Sequence, residues 1–309
     1  MKAQSGTGAL SLIVYRGDCM KKFKDNVQAY LFLCPFIILS LIFMIWPIIN
    51  GFITSLYNTK WASAIFVGLD NYKKIFSDDL YLLAIKNSLL FVVIVVPLII
   101  LMGIWIGGSI FDKARPYVSF VRVCLYVPVI ASMVVMSLIW RFMLDSQSGL
   151  VKYFSMIAGT GTVDLLSDKV WARVLVIIIM LTMSVGQAVL LYVADMLGIS
   201  KELIEACVID GGTRWDLYRK ILIPLTLPTT IFVFITQTSE ALKVFVVIQL
   251  VTKGGPNYST TTMMYLLYQE AFEKSNMGMA CALGIVMFVI SLILVMMRFA
   301  FERKEKGSF

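Results

Sequence analysis

Apolar residues along this chain gather into six long runs: Tyr30–Ile49, Ser88–Phe111, Val123–Trp140, Val174–Ala194, Ile221–Val251 and Asn276–Met297. A helix needs roughly 20 residues to cross about 30 Å of hydrocarbon, and each run is near or above that length. None alternates polar and apolar positions as a barrel strand would. A backbone inside lipid must satisfy its own hydrogen bonds, so each run predicts a membrane-spanning helix. The expected fold class is therefore all-α, a polytopic membrane protein with six transmembrane helices. On this reading residues 1–29 form an N-terminal tail, 30–300 the membrane domain and 301–309 a C-terminal tail. The patch Leu10–Tyr15 is too short and poorly flanked for a signal peptide. Residues 1–19 read as a start-site extension ahead of Met20-Lys-Lys-Phe-Lys.

Charge sets the orientation. The N-terminal tail carries five Lys or Arg, the second-to-third loop three, the fourth-to-fifth loop four and the C-terminal tail four. That places 16 of the 27 on one side, in short segments. The opposite loops hold ten over far more residues, and the last, Lys243, lies within the fifth run. The positive-inside rule makes the first side the cytoplasm, with both termini inside. No internal repeat is visible, which removes support for the inverted-repeat architecture of many secondary transporters.

Composition narrows the class. Of the 309 residues, 59% are hydrophobic and only 15% charged, against about 25% charged in soluble domains. The net charge of +8 is a topology signal rather than a nucleic-acid footprint, because the basic residues sit in short loops between apolar spans. Cys19, Cys34, Cys124, Cys207 and Cys281 are scattered and histidine is absent. No disulfide framework, zinc site or histidine-assisted nucleophile is expected. Neither is a cofactor, and no G-x-x-x-x-G-K-[ST] loop is present, so this chain is not expected to hydrolyse ATP.

The most polar long stretch between two runs is "EACVIDGGTRWDLYRKILIP", Glu205–Pro224. It reads as helix, break, helix. Ser200 stands where it can cap Lys201–Asp210, with Glu202 favoured in the first turn. Leu203 and Cys207 share one stripe, with Ile204 and Val208 beside it. Gly211-Gly212 ends the first helix, since glycine takes the left-handed conformation cheaply. Thr213 and Asp216 form an [ST]-x-x-[DE] capping pattern for the second. An apolar-faced hairpin at a membrane surface suits docking into another protein's groove. It also suits a plain interfacial connector. The loop is too short to hold a DNA-reading domain.

These residues carry a resemblance. Glu205-Ala206-Cys207, Gly211 after three further residues, and Ile221, Ile223 and Pro224 after nine more resemble the Glu-Ala-Ala-x3-Gly-x9-Ile-x-Leu-Pro signature of permease subunits of ATP-binding-cassette importers. Cys207 replaces the second Ala and Ile223 the Leu. The stretch Ile209-Asp210-Gly211 resembles the carbohydrate-uptake branch, with Gly212 where Ala is usual. "FLCPFIILSLIFMIWPIINGFITSLYN", "FVGLDNYKKIF" and "TKGGPNYST" are similar to the family's first span, first external loop and last external loop. The resemblance implies that the hairpin is a coupling helix seated in a cytoplasmic ATPase subunit. Glu205 would pair with a basic residue there, and Gly211 would permit the turn. Ala206, Cys207, Asp210, Ile221 and Pro224 complete the implied coupling set. The implied partners are a second permease subunit, two ATPase subunits, an extracytoplasmic binding protein and membrane lipid, but no nucleic acid. The implied place is the plasma membrane of a prokaryote.

The fifth run is interrupted by Thr236, Gln237, Thr238, Ser239, Glu240 and Lys243. Charge at mid-membrane costs at least about 2.5–3.5 kcal/mol and usually faces a bundle interior or cavity. Glu240 and Lys243, three apart on a helix, are expected to pair. They either stabilise packing alone or line the translocation path, which the resemblance favours, with Ser239 and with Gln187 from the fourth run. Outside, Gly254-Gly255-Pro256-Asn257 is expected to form a tight turn with both glycines free to take positive φ. The resemblance implies that this turn meets the binding protein. The first outer loop, Gly51–Asn87, with Trp61, Phe66 and Tyr72, is expected to fold against the outer face. The function implied is uptake of a sugar or oligosaccharide. A permease for another small polar solute, such as a glycerophosphodiester, and an ion-coupled secondary transporter are the alternatives.

Overall fold

The computed structural model describes residues 33–306 apart from 60–63, 112, 114, 158 and 160–163. The basic N-terminal tail, the start-site extension, residues 30–32, Trp61 and residues 307–309 lie outside the described residues. Contacts divide the chain into two compact units, Met1–Thr54 and Ser55–Phe309. In the first, helix α1 (Leu33–Thr54) is long and apolar enough to cross a membrane. It contains a π turn at Leu41–Ile45. Pro47 just beyond has no N–H to return to the carbonyl four residues earlier, a common cause of such irregularity.

The second unit opens with a small antiparallel pair, β1 (Tyr57–Asn58) and β2 (Ile65–Phe66), in register Tyr57 to Phe66. Helix α2 (Asp70–Ser77) follows. Asn71 Nδ2 donates to the carbonyls of Ser55 at 2.8 Å and Tyr57 at 2.9 Å, and Thr59 Oγ1 accepts from Gly278 N at 2.9 Å. The described part of the loop between the first two runs is thus folded, in part against α12 (Met277–Lys306).

Helix α3 spans Asp79–Ile110, capped by Asp78, whose carboxylate accepts from Leu80 N at 2.9 Å. It begins before the expected Ser88, because Asp79 and Lys86 are compatible with a helix though not with a lipid core. Helices α4 (Arg115–Ile130) and α5 (Met133–Met143) follow. They meet at 98°, so the expected continuous helix Val123–Trp140 is broken. Pro128 removes a helical donor, and Ser132 adopts an extended ψ of 137°. Next come α6 (Leu150–Ile157) and α7 (Lys169–Leu197). Asp168 caps α7 through bonds from Val170 N and Trp171 N at 2.8 and 2.9 Å.

After the short α8 (Lys201–Ile209), α9 (Arg214–Leu225) and α10 (Leu227–Leu242) meet at 65°. The expected run Ile221–Val251 is therefore not one helix. Pro224 and Pro228 withhold donors around Thr226, whose Oγ1 satisfies the Leu222 carbonyl at 2.7 Å, and the helix ends at Leu242. A π turn at Ile248–Thr252, then α11 (Met263–Tyr268) with a π turn at Gln269–Glu273, lead into α12 (Met277–Lys306). Among the described residues four helices are long and apolar enough to cross a membrane. The count is up to six if each bent pair is one span.

Tyr192 of α7 lies at the centre of the packing and is fully buried. Its ring sits against Gly103 of α3 and its Cβ against Gly107, and its hydroxyl donates to Thr230 Oγ1 of α10 at 3.0 Å. A Cβ at Gly103 would lie 2.8 Å from the Tyr192 ring and 3.3 Å from Ala188 Cβ. Small residues here let the helices approach, which is how membrane helices associate. Gly103→Val is expected to lower the thermal midpoint of the purified protein, by overpacking worth about 1–3 kcal/mol. Tyr192→Leu in the same chain should restore part of the loss; an undiminished midpoint in Gly103→Val would contradict the packing.

Candidate functional site

The polar interruption between α7 and α10 folds as a hairpin. Ser200 stands at the N-cap of α8 with extended backbone, but its side chain makes no capping bond. Gly211 takes φ +75°, and Gly212 N returns to the Cys207 carbonyl at 2.8 Å. The Thr213–Asp216 capping box forms in both directions, at 3.2 Å from Asp216 N to Thr213 Oγ1 and 3.0 Å from Thr213 N to Asp216 Oδ2. Lys220 Nζ reaches Asp216 at 2.8 Å. The hydrogen bonds from Lys220 and then Thr213 hold the Asp216 carboxyl well below the usual carboxylate range. A depressed value stabilises the cap above the ordinary carboxylate pKa of about 3.9, and the contribution fades only as pH falls below it.

Glu205, Ala206 and Asp210 are exposed on α8, Cys207 and Ile221 half-buried, and Pro224 exposed on α9. The apolar residues of α8 are also open: Leu203 is 47%, Val208 66% and Ile209 84% exposed. The helix thus presents a greasy face with Glu205 beside it and covers little of that face with its own chain.

A second feature is a cavity of about 300 Å³ lined by Val95, Pro128, Met133, Met180, Gln187, Gln237, Glu240 and Lys243, among others. Three of the four residues expected on a substrate path, Gln187, Glu240 and Lys243, come together here. Ser239 does not; its hydroxyl donates to the Ile235 carbonyl at 3.1 Å, and it lines an adjoining pocket with Gly284 and Ser291 that shares Lys243 with the cavity. Glu240 and Lys243 form no ion pair within the described residues. Lys243 is the C-cap of α10, its N–H still directed at the carbonyls of Ser239 at 3.3 Å and Glu240 at 3.2 Å, so the i,i+3 backbone spacing holds while the side chains do not pair. Lys243 instead stands at the negative end of the helix dipole. Sequence reasoning missed Ser184 and the methionines Met133, Met180 and Met183, which also line the cavity. Their types alone carry no signal.

The turn at Gly254–Asn257 is more elaborate than expected. Only one of its glycines, Gly254, takes positive φ (+81°), while Lys253, Asn257 and Tyr258 take φ of 50°, 48° and 57°. The peptide bond before Pro256 is cis. Gly254 is buried, its carbonyl accepting from Thr261 Oγ1 at 3.1 Å, whereas Asn257 is exposed. Thr260 Oγ1 donates to the Gly255 carbonyl at 2.9 Å, and Thr262 Oγ1 donates to that of Val244 at 3.0 Å. Asn87 of α3 donates to the carbonyls of Tyr258 and Thr261 at 3.1 and 2.9 Å, and Arg173 of α7 to Ser259 O at 2.8 Å. This threonine knot was not anticipated. Its signal was the run Thr260–Thr262 next to a glycine turn.

The family model for the binding-protein-dependent transport system inner membrane component matches residues 95–307. The sn-glycerol-3-phosphate transport system permease protein UgpA of Agrobacterium fabrum is 30% identical over 92% of this chain and 97% of its own. The diacetylchitobiose uptake system permease protein NgcF of Streptomyces coelicolor is 31% identical over 78% of this chain and 72% of its own. The lactose transport system permease protein LacF of Rhizobium radiobacter is 27% identical over 93% and 97%. Among solved structures, a bacterial ABC transporter that imports the acidic polysaccharide alginate superposes with TM-score 0.81. It is 24% identical over 93% of this chain and 99% of that one.

Cys207 and Gly212, the two small-residue departures from the signature, touch each other. A Cβ at Gly212 would lie 2.6 Å from Cys207 Sγ and 2.7 Å from the Cys207 carbonyl oxygen. Gly212→Ala is expected to weaken the hairpin more than Cys207→Ala does. The double change should recover part of the loss, since the thiol is one of the two obstacles. Contacting residues couple by about 0.5–3 kcal/mol. The check is a double-mutant cycle on complex assembly; strict additivity would mean the two positions act independently.

Proposed function

The chain belongs to the family of binding-protein-dependent transport system inner membrane components, and from that premise we propose that it is one permease half of an ATP-driven importer of a sugar or oligosaccharide. The observation that carries this reading is the exposed α8 hairpin, with its apolar face and Glu205 open to a partner. In this reading the ATPase subunit covers that face, and rigid-body movement of the hairpin switches access to the cavity. A second permease subunit completes the path, two ATPase subunits drive it and an extracytoplasmic binding protein delivers the solute. The alginate importer has been solved in complex with a pentasaccharide-bound periplasmic protein, which supports such a partner here. The basic loops, α8 among them, then face the cytoplasm of a prokaryotic cell, and the outer turn at Gly254–Asn257 faces the binding protein.

Sugar is preferred over glycerol phosphate on the cavity's charge. Among the described residues, the charged ones that line it are Glu240 and Lys243, which sum to zero. Hydroxyls can pair with the carboxylate, the ammonium and the amides of Gln187 and Gln237, whereas a phosphoester calls for net positive charge. The UgpA relative keeps the glycerol-phosphate alternative in view.

Uptake into vesicles carrying the full complex and its binding protein tests the assignment: ATP should be required, and transport driven by an ion gradient alone would overturn it. Glu205→Ala should insert normally yet lose ATP-dependent uptake, since the residue is exposed and touches no span; wild-type uptake would remove it from coupling. Glu240→Gln and Lys243→Gln should each assemble, because neither partner leaves the other buried in a broken pair. Each should lower apparent solute affinity by about tenfold, the loss of one hydrogen bond to a charged group. Unchanged affinity in both variants would exclude the cavity as a sugar site.

A further inference from the structure

The α8 hairpin has two roots. Helix α7 runs into it, and the α9–α10 arm carries the chain back to the cavity. Between the roots lies a carboxylate that belongs neither to the cavity nor to the open face of α8. It is Asp195, in the last turn of α7 (Lys169–Leu197). Its Oδ2 accepts from Thr229 Oγ1, in the first turn of α10, at 2.6 Å. Both residues are half-buried. Thr229 is the one side-chain partner that the Asp195 carboxylate has among the described residues.

Asp195 is a poor choice for α7 by itself. A carboxylate in the last turn faces the negative end of that helix's dipole, and a charge on a membrane helix is costly to bury. The other helix suits it. The carboxylate is bonded into the first turn of α10, at the positive end of that dipole, where Thr226 stands at the N-cap without a capping side-chain bond and Pro228 has no N–H to offer. A residue that breaks a local rule is expected where the fold or its function needs something else of it. The bond also has company. One turn earlier on α7, Tyr192 donates to Thr230 Oγ1 at 3.0 Å. Thr230 Oγ1 donates to the Thr226 carbonyl at 3.0 Å, and Thr226 Oγ1 to that of Leu222 at 2.7 Å. These bonds join the end of α7, the start of α10 and the bend before it, and the Asp195–Thr229 bond closes the hairpin between partners 34 residues apart.

We propose that Asp195 is a positioning residue for coupling. With Thr229 it clasps the two roots of the hairpin, so that the end of α7, the hairpin and the start of α10 shift as one body when the ATPase moves. Without the clasp the roots part, and movement of α8 is absorbed at its base. With it, the movement reaches Gln187 on α7 and Glu240 on α10, which face the cavity from these two helices. The inference rests on the reading that α8 is seated on an ATPase subunit, and not on which solute is carried.

The complete transporter with its binding protein, in vesicles, gives the solute imported per ATP hydrolysed. Asp195→Ala and Thr229→Val should each lower that ratio by about tenfold, the equivalent of one hydrogen bond to a charged group, while ATP hydrolysis stays at the wild-type level. Asp195→Asn keeps an oxygen that accepts from Thr229 and should restore most of the ratio. Asp195→Ala combined with Thr229→Val leaves neither group unpaired, so the double variant should assemble even where a single one does not. It should be as uncoupled as the singles and no more, since the two residues act through one bond. A bond that only stabilises the fold predicts otherwise: uptake and hydrolysis fall together in the singles, and the double variant recovers both. That outcome, or an unchanged ratio, would overturn the proposal. A second measurement needs no transport. Spin labels at the exposed positions Glu202 on α8 and Phe232 on α10, in a chain freed of its native cysteines, should give one narrow distance distribution that nucleotide does not shift. The double variant should broaden it; a broad distribution in the wild type, or an equally narrow one in the double variant, would exclude the clasp. Uptake that needs no ATP would remove the importer reading and leave the label distances to stand by themselves.

Discussion

The Tyr192 side chain is the junction on which the second unit depends. Its ring fills the space that Gly103 leaves on α3, its Cβ lies against Gly107, and its hydroxyl reaches Thr230 on α10. One residue of α7 therefore fixes the two helices that flank it. In a membrane there is little hydrophobic drive between helices, since lipid tails are as apolar as leucine. Close packing and a few hydrogen bonds carry the association instead. The cavity follows from this geometry: Val95 comes from α3, Met180 and Gln187 from α7 and Gln237 and Glu240 from α10, so the walls are held by helices that meet at Tyr192.

The same scarcity of water explains the irregular places. Each break in a helix frees carbonyls and N–H groups, and within a membrane protein such backbone is tolerated only where protein or a wet cavity serves it. At the bend between α9 and α10 the Thr226 hydroxyl takes the Leu222 carbonyl. Beyond α10, Thr262 takes that of Val244, and the Thr260 and Thr261 hydroxyls take those of Gly255 and Gly254. Arg141 of α5 supplies another donor, to the Leu250 carbonyl at 3.0 Å. Hydroxyl side chains that look incidental in a hydropathy profile are the groups that make the non-helical path stable.

How much of this was legible in the sequence differs by level. Hydropathy read the long helices α3, α7 and α12 because length and greasiness suffice for those. It did not read the bend after Pro128 or the end of α10 at Leu242, since both occur inside apolar runs, where a window average sees no change. The hairpin was legible almost residue by residue, down to the Thr213–Asp216 box and the positive φ of Gly211, because capping chemistry is local. The Glu240–Lys243 pair failed because helical spacing permits a contact without requiring it: the two side chains line one cavity without meeting. Asn87 and Arg173 could not have been matched to the outer turn, since they lie 171 and 86 residues from their partners.

The hairpin and the cavity, read separately, become one device when the chain between them is followed. From Arg214 to Leu242 the backbone is helical except at Thr226, and the Asp210–Thr213 turn that joins it to α8 is closed by the bond from Gly212 N to the Cys207 carbonyl and by the Thr213–Asp216 box. Leu222, at the middle of that path, is fully buried in the core around Tyr192. Tyr218, one turn before it, bears on Gly108 of α3. In the proposed coupling, a load on α8 would turn α9 about this buried pivot and bear on both α10 and α3, two walls of the cavity. Packed cores of this kind yield by switching between discrete arrangements rather than by gradual bending. A short stiff arm on a tight pivot is thus suited to passing an all-or-none movement from a partner at the membrane surface to polar groups inside the bundle.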